Sequence, residues 1–345
     1  MLVLGIETSC DETAVAIVRD GKEVIASVVA SQIALHEKWG GVIPEIAARE
    51  HLTSLNHVFD EALEQAKVAM NDIDAIAVTQ GPGLVGCLLI GSTFAKGLAQ
   101  VRNLPLIPVN HVHAHVHGAF LGISTPIEEL CPCIALVASG GHTNLYYIDS
   151  PVEFELLAHT MDDACGESFD KVGKMLGLPY PGGPHVETLA RSGEASKVAM
   201  PRMLERRQQM AFSYSGLKTA VSLAIRSRPN NITDQDIAAS FQEAALDQLA
   251  RKIEQAIVMR PNARSVIISG GVAANTRLKT LLNERISLAT FFPPLAFCGD
   301  NGAMIAALGY HMHKDDKKYF DYSWDVFSRY PFELYTKKAT QEVQT

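Results

Sequence analysis

Short apolar runs separated by polar turns dominate the first third of the chain. Leu2 to Ile6 is one such run, Glu7 to Thr13 is polar, and Ala14 to Val18 is apolar again. Runs of this length bounded by turn residues predict strands. Asp20-Gly21 marks a hairpin before a third strand over Glu23 to Ala30. From His51 to Ala69 the spacing turns helical, with Leu52, Leu55, Val58, Phe59, Ala62 and Leu63 on one stripe. A strand is predicted at Ile73 to Val78, a break at Gly81-Pro82-Gly83, a helix at Leu88 to Ala99 and a buried strand at Leu106 to Val109.

The same order restarts at Ile134. Strands are predicted at Ile134 to Val137, Asn144 to Ile148 and Glu153 to Ala158, then a helix over Ile237 to Val258, a strand at Ser265 to Ile268 and a turn at Ser269-Gly270-Gly271. The letters do not repeat, but the order of elements does. Three antiparallel strands followed by helix–strand alternation, used twice, predict an α/β protein of the two-lobed actin-like (ASKHA) kind. Such a fold has two related ribonuclease-H-like subdomains and a central ligand cleft. The expected lobes are residues 1–130, with 303–345 packing back on them, and 131–302. The tail from Lys314 onward carries no motif.

Composition removes whole classes. The chain has 345 residues, 47% apolar and 20% charged, with a net charge of -8, an ordinary globular balance that excludes disordered, collagen-like and coiled-coil chains. No uncharged apolar run approaches the roughly 20 residues of a membrane helix, and the opening Met1-Leu2-Val3-Leu4-Gly5 lacks a signal peptide's basic region. The six cysteines, Cys10, Cys87, Cys131, Cys133, Cys165 and Cys298, form no C-x-x-C pair. A reduced, cytoplasmic chain is expected. The acidic total hides one basic stretch: Arg191 to Arg228 holds Arg191, Lys197, Arg202, Arg206, Arg207, Lys218, Arg226 and Arg228 against only Glu194 and Glu205. It is either a solvated helical face or a phosphate-binding surface.

Gly81-Pro82-Gly83-Leu84-Val85-Gly86 satisfies G-x-G-x-x-G, but a dinucleotide site needs an acid about 20 residues on. Between Gly86 and Glu128 there is neither Asp nor Glu, so that reading fails. What survives is a tight turn whose backbone N–H groups can approach a ligand or a neighbouring loop. The run His111-Val112-His113-Ala114-His115-Val116-His117 sits in helical apolar spacing with Val112, Val116, Ala119 and Phe120. On a helix His111 and His115 share one face, and His113 and His117 another. Two histidines one turn apart beside a second such pair point to a metal site rather than to structural histidines. Position 112 is Val, so the catalytic glutamate of H-E-x-x-H is missing and a zinc protease is disfavoured. A third ligand is needed, and an oxygen donor is the commonest completion. Asp300 is available at a turn into an apolar helix from Ala303, although its spacing by itself reads as an N-terminal cap. The glycine turns at Ser139-Gly140-Gly141-His142, Pro181-Gly182-Gly183 and Ser269-Gly270-Gly271 fit walls that present N–H groups to phosphates. No Walker sequence exists, so a P-loop NTPase is excluded.

These residues together resemble the tRNA adenosine threonylcarbamoyltransferase family, once described as glycoproteases. The likeness rests on Gly5-Ile6-Glu7-Thr8-Ser9-Cys10-Asp11-Glu12-Thr13. It extends through Ser31-Gln32, His36, Gly40-Gly41-Val42, Pro44-Glu45 and Arg49-Glu50-His51, then Gly81 to Leu84, His111 with His115, and Ser139 to Thr143. Gly166-Glu167, Phe169-Asp170-Lys171, Pro181 to Pro184, Phe212-Ser213, Ser215 to Thr219, Gly270-Gly271-Val272 with Asn275, and Asp300 to Met304 complete it in order, covering about residues 1 to 310.

The resemblance implies an enzyme that moves a threonylcarbamoyl group from threonylcarbamoyl-adenylate to the exocyclic amine of the tRNA adenosine 3′ of the anticodon, releasing AMP. It implies one divalent metal, Fe(2+) with Zn(2+) as the alternative, held by His111, His115 and Asp300. Ala138, Ser139, Gly140, Gly141, His142, Asp170, Gly183, Glu187 and Asn275 would surround the adenylate, and Asp11 or Glu12 would orient the amine or take its proton. It also implies a shorter paralogous subunit and a small P-loop ATPase as partners, with no membrane. His113 stands where the family pattern carries Glu, placing a fourth imidazole near the expected metal. The rival readings are a small-molecule kinase of the same fold, which would not need paired histidines, and a non-catalytic scaffold, which would lack the His111, His115 and Asp300 set.

Overall fold

A computed structural model describes residues 1–121, 123–205, 209–315 and 319–329. The chain forms two compact units. The first comprises Met1–Glu129, Ser150–Glu155 and the chain from Pro293 onward; the second comprises Leu130–Asp149 and Leu156–Phe292. Residues 293–302 therefore belong with the first unit rather than with the C-terminal half, and they bring Asp300 with them.

The first unit is built on strands β1 (Leu2–Glu7), β2 (Glu12–Arg19), β3 (Glu23–Ser31), β4 (Ala75–Gly81) and β5 (Leu106–Asn110), in the order β3-β2-β1-β4-β5. β1 pairs antiparallel with β2 and parallel with β4. Alternation splits the strand side chains between two faces. Leu4, Ile6, Val15, Ile17, Ile76 and Val78 pack with Leu55, Val58 and Ala62 of the helix Pro44–Ala66, and with Ala95 and Ala99 of the helix Val85–Arg102. Val3, Ala16, Val18, Ala75, Ala77, Ile107 and Val109 pack with the helix Gly302–Asp315. Helices cover both faces, which is why the strands read as continuous apolar runs. Gly5 is required by this packing, since a Cβ there would overlap the Gly302 carbonyl oxygen and lie 2.7 Å from the Ala306 nitrogen. The helix predicted from His51 begins at Pro44, the first-turn proline being its start signal.

Of the tail, which carries no motif, residues 319–327 lie beside β4 and β5. Leu106 N donates to Tyr319 O at 2.7 Å, the Tyr322 hydroxyl to Leu104 O at 3.0 Å, and Gln80 Nε2 to Asp325 O at 2.8 Å. Lys96 Nζ sits 4.2 Å from the centre of the Trp324 ring.

The second unit repeats the plan with β6 (Cys133–Ala138), β7 (Thr143–Ser150), β8 (Glu153–His159), β9 (Ser265–Ser269) and β10 (Ala289–Phe291), ordered β10-β9-β6-β7-β8. β6 pairs antiparallel with β7 and parallel with β9, so it occupies the place of β1. The helices Cys165–Met175, Gly182–Ala190, Ser215–Arg226, Asp234–Met259 and Thr276–Arg285 belong to this unit. The long Asp234–Met259 helix supplies Ile237, Phe241, Leu246, Leu249 and Ile253 to its core, all fully buried.

Candidate functional site

β5 ends at Asn110, whose side-chain oxygen accepts from Val112 N at 2.8 Å and His113 N at 3.2 Å and so caps the helix His111–Gly118. Helical geometry then sorts the four imidazoles into two groups. The His111 and His115 rings meet edge to face with centroids 4.8 Å apart. Asp300 Oδ1 lies 3.6 Å from His111 Nε2 and 3.1 Å from His115 Nε2. One ligand atom from each of the three side chains falls within 4.8 Å of the others.

Asp300 is not the helix cap that its spacing suggests. Asn301 Oδ1 accepts from Met304 N at 2.9 Å and takes that role. Both ring nitrogens of His115 are buried without a hydrogen-bond partner among the described residues, so its 3.1 Å approach to Asp300 is a contact without hydrogen-bond geometry. A buried imidazole nitrogen left unsatisfied beside a carboxylate is costly by itself and is satisfied by a cation. Two imidazoles and one carboxylate suit a divalent transition metal.

Behind His111 stands Glu7, which sequence reasoning did not single out. His111 Nδ1 donates to Glu7 Oε2 at 2.9 Å; Thr79 Oγ1 donates to the same oxygen at 2.6 Å, and Ser9 N to Oε1. A carboxylate only accepts, so His111 keeps a proton on Nδ1 and turns Nε2, the nitrogen a cation would take, toward Asp300. Burial pushes the Glu7 carboxyl up, but the His111 charge and hydrogen bond outweigh it and hold it below the usual carboxylate range. Burial pushes His111 down, while Asp300 and Glu7 carry it up to about 9. A bound cation would displace that proton. The signal available in the sequence was a carboxylate closing a fully buried strand.

Asp11 and Glu12 lie in and just after the turn between β1 and β2, Asp11 being buried. Glu12 Oε1 accepts from Ser31 Oγ at 3.2 Å. Burial first, then the charges of Asp300 and Asp11, push Glu12 up to about 9. The glycine turn after β4 serves a neighbouring loop: Leu84 N donates to Ser9 O at 2.8 Å, and a Cβ on Gly83 would lie 2.7 Å from that oxygen. Ser9 Oγ in turn lies 3.2 Å from His111 Nδ1.

The fourth imidazole does not join the centre. His113 lies flat on Phe154, centroids 4.0 Å apart and planes 3° apart, and burial lowers it to about 3. His117 donates from Nε2 to Pro151 O at 2.8 Å. Burial, then His311, hold it well below its ordinary value.

The remaining predicted residues collect in the second unit. Ala138 closes β6, and Ser139 to His142 form the turn into β7, with Ser139 N donating to His142 O at 2.8 Å. Gly166 N donates to Ser139 O at 3.1 Å, which sets the start of the Cys165–Met175 helix on that turn. Asp170 on the same helix accepts from Gly182 N at 2.8 Å and Gly183 N at 3.2 Å. Glu187 Oε1 accepts from Thr276 N at 3.0 Å, and Asn275 Oδ1 accepts from Leu278 N at 3.0 Å. Gly270 backs on Ala138, a Cβ there meeting its carbonyl carbon at 2.7 Å. These bonds tie the Ser139–His142 turn to the helix Cys165–Met175, that helix to Gly182–Ala190, and Gly182–Ala190 to the start of Thr276–Arg285.

The basic stretch is less positive than its composition. Arg191 pairs with Glu187, Lys197 with Asp236 and Glu194, Arg202 with Glu205, Lys218 with Asp163, and Arg228 with Asp234. Arg206 and Arg207 lie outside the described residues. No helix among the described residues is long and apolar enough to cross a membrane.

Residues 23–307 match the family model for tRNA N6-adenosine threonylcarbamoyltransferase. The chain is 46% identical over 318 residues to the protein of that name from Thermosipho africanus, covering 91% of this chain and 95% of the relative. It is 47% identical over 317 residues to the one from Bacillus licheniformis, covering 90% and 91%. Among solved structures, HypF from T. kodakarensis aligns with a TM-score of 0.62 at 14% identity, over 91% of this chain and 48% of that one. Component A of (R)-2-hydroxyglutaryl-CoA dehydratase from Acidaminococcus fermentans aligns with a TM-score of 0.55 at 16% identity, over 91% and 99%. These two bear on fold alone and agree with the expected actin-like (ASKHA) class.

Proposed function

Because this chain belongs to the tRNA N6-adenosine threonylcarbamoyltransferase family, a group of acyltransferases acting on tRNA, we propose that its donor is threonylcarbamoyl-adenylate. The acceptor is the exocyclic amine of the adenosine 3′ of the anticodon in tRNAs reading codons that begin with A, and AMP is released. The observation that carries this reading is the convergence of His111, His115 and Asp300 beside the Asp11–Glu12 turn.

His111 Nε2, His115 Nε2 and Asp300 would hold a divalent ion, ferrous iron with zinc as the alternative. When bound, it would supply Lewis-acid polarisation of the carbamoyl carbonyl. Glu7 fixes the His111 tautomer that such a ligand requires. The acyl phosphate already carries a good leaving group, so no protein nucleophile is needed. Glu12, kept protonated near neutrality chiefly by burial, serves as a hydrogen-bond donor, and Asp11 accepts the amine's proton. The turn Ser139–His142 and the backbone at Gly183 hold the adenylate, with Asp170, Glu187 and Asn275 keeping that wall in shape. Holding donor and acceptor in line supplies much of the rate.

The cytoplasm is the proposed location. The proposed partners are a shorter paralogous subunit and a small P-loop ATPase. Leu52 is 61% exposed on the helix Pro44–Ala66, and Val85 and Leu89 are exposed on the neighbouring helix, which supports this face as the paralogue's contact. The tRNA phosphates are assigned to the Arg191–Arg228 stretch. That assignment fails if R202E leaves both tRNA affinity and its salt dependence unchanged.

The reading is tested by nucleoside mass spectrometry of tRNA incubated with this chain, the two partners, a threonylcarbamoyl-adenylate-forming enzyme, threonine, bicarbonate and ATP. Threonylcarbamoyladenosine that depends on this chain is expected. Unmodified adenosine, with the adenylate present, refutes the reading.

A further inference from the structure

Three consecutive residues, Cys10 and Asp11 of the β1–β2 turn and Glu12 at the start of β2, are held from the segment that runs out of β3 into the helix Pro44–Ala66. The Cys10 carbonyl accepts from His51 Nε2 at 3.0 Å, the Asp11 carbonyl from Gln32 N at 3.0 Å, and Glu12 Oε1 from Ser31 Oγ at 3.2 Å. His51 is fully buried, and its other nitrogen lies 2.7 Å from Thr13 Oγ1. A carbonyl can only accept, so the ring proton sits on Nε2 and Nδ1 takes the Thr13 hydroxyl. Ser54 Oγ, which donates to Glu50 O at 2.8 Å, lies 2.9 Å from Thr13 Oγ1 and ties the contact into the helix. Gln32 is fastened on both sides, its Oε1 3.1 Å from His36 Nε2 and its Nε2 donating to Ala47 O at 3.3 Å.

This arrangement answers an electrostatic problem. Asp300 and Asp11 both disfavour the charge of Glu12, and a flexible turn would relieve that by splaying. A charged anchor would neutralise the acids the chemistry needs. Burial holds His51 below its ordinary value, so it grips the turn as a neutral donor and acceptor.

We propose that His51 is a positioning residue for transfer, fixing the Cys10 carbonyl so that the Asp11 and Glu12 carboxyl groups are aimed, and coupling that aim to the helix Pro44–Ala66. The proposal rests on Asp11 and Glu12 acting on the amine. Misplacement by about 1 Å costs on the order of a hundredfold in rate, and the loss falls on kcat because the tRNA and the metal ligands are untouched.

The test compares H51Q and H51N in the full chain with its partners. A glutamine amide reaches the place of Nε2 and keeps the Cys10 bond; an asparagine amide reaches only the place of Nδ1. H51N is expected to lower kcat about a hundredfold, with KM for tRNA and zinc affinity within twofold of wild type, and H51Q to recover at least a third of the wild-type kcat. Wild-type kcat in H51N overturns the proposal, as does equal loss in both variants or a matching fall in zinc affinity. If H51N does not fold, H51Q decides alone, retention of a third of kcat supporting the proposal and a thirtyfold loss overturning it. D11N and E12Q run beside them separate the two claims: wild-type activity in both refutes the underlying reading of the acids, whereas their loss with H51N unaffected refutes only the role of His51.

Discussion

The β1–β2 turn of the first unit and the β6–β7 turn of the second occupy the same place in the same strand order, and they carry opposite chemistry. Glu7 and Ala138 each close the leading strand. After Glu7 the chain spends residues 8–11 on a turn that is mostly buried, carries Asp11, runs straight into Glu12 at the start of β2, and is gripped by Ser31, Gln32 and His51. After Ala138 the turn is equally short, residues 139–142, but Gly140 and Gly141 are exposed, with no atom of the described residues within 4 Å of where a Cβ would be. One topology thus yields a fixed set of charges in one unit and bare backbone amides in the other. Fold alone therefore does not assign function; the side chains at the strand ends do.

Three substitutions break or sharpen this contrast. H111A removes a ligand from the acidic side and is expected to lower single-turnover transfer by roughly three orders of magnitude, with stoichiometric adenylate supplied. Wild-type turnover would remove the metal from the reading. E7Q leaves the ligands in place and weakens only the support behind His111, so zinc affinity, measured by titration, should fall about 10- to 100-fold. An unchanged affinity would mean that Glu7 is merely a buried charge. On the glycine side, G141A meets no atom within 4 Å among the described residues, so its melting temperature should not move. Any loss then reports the ligand: adenylate affinity is expected to drop about tenfold, the worth of one displaced amide contact. Full affinity would detach this turn from the adenylate.

The last prediction concerns the two faces of the helix His111–Gly118. His111 and His115 face the centre, while His117 and its neighbour His311 sit with ring centroids 5.2 Å apart on the other side. Burial lowers His311 from 6.5 to about 4. Its unfolded form therefore binds a proton that its folded form refuses, so its contribution to stability is complete above pH 6.5 and is lost as pH falls from there toward 4. In H311L the acid limb of a denaturation–pH profile should flatten within that window, by at most about 1.4 kcal/mol per pH unit. A limb of unchanged slope would show that His311 does not titrate on unfolding.

Local chemistry fixed much of this in advance. The strands of both sheets lie within a few residues of where the apolar runs put them, and the histidine helix was set by the spacing of Val112, Val116 and Ala119. The helix start at Pro44 was readable too, from a proline followed by Glu45. The short β10 and the helix Gly182–Ala190 were not, because their packing partners, and not their periodicity, hold them, whereas Cys165, Phe169 and Val172 do mark the helix Cys165–Met175 at helical spacing and were passed over.

Sequence by itself determined the order of elements, the repeat of that order and the pairing of His111 with His115, because each follows from periodicities of two and 3.6 residues. Only the tertiary structure decided that Asp300 is a third donor and Asn301 the cap, that Glu7 and His51 stand behind the site, and that His113 belongs to Phe154. The reason is distance along the chain. A hydrogen bond or a coordination sphere joins residues by position in space, and no local pattern records which remote side chain the folded backbone will bring there.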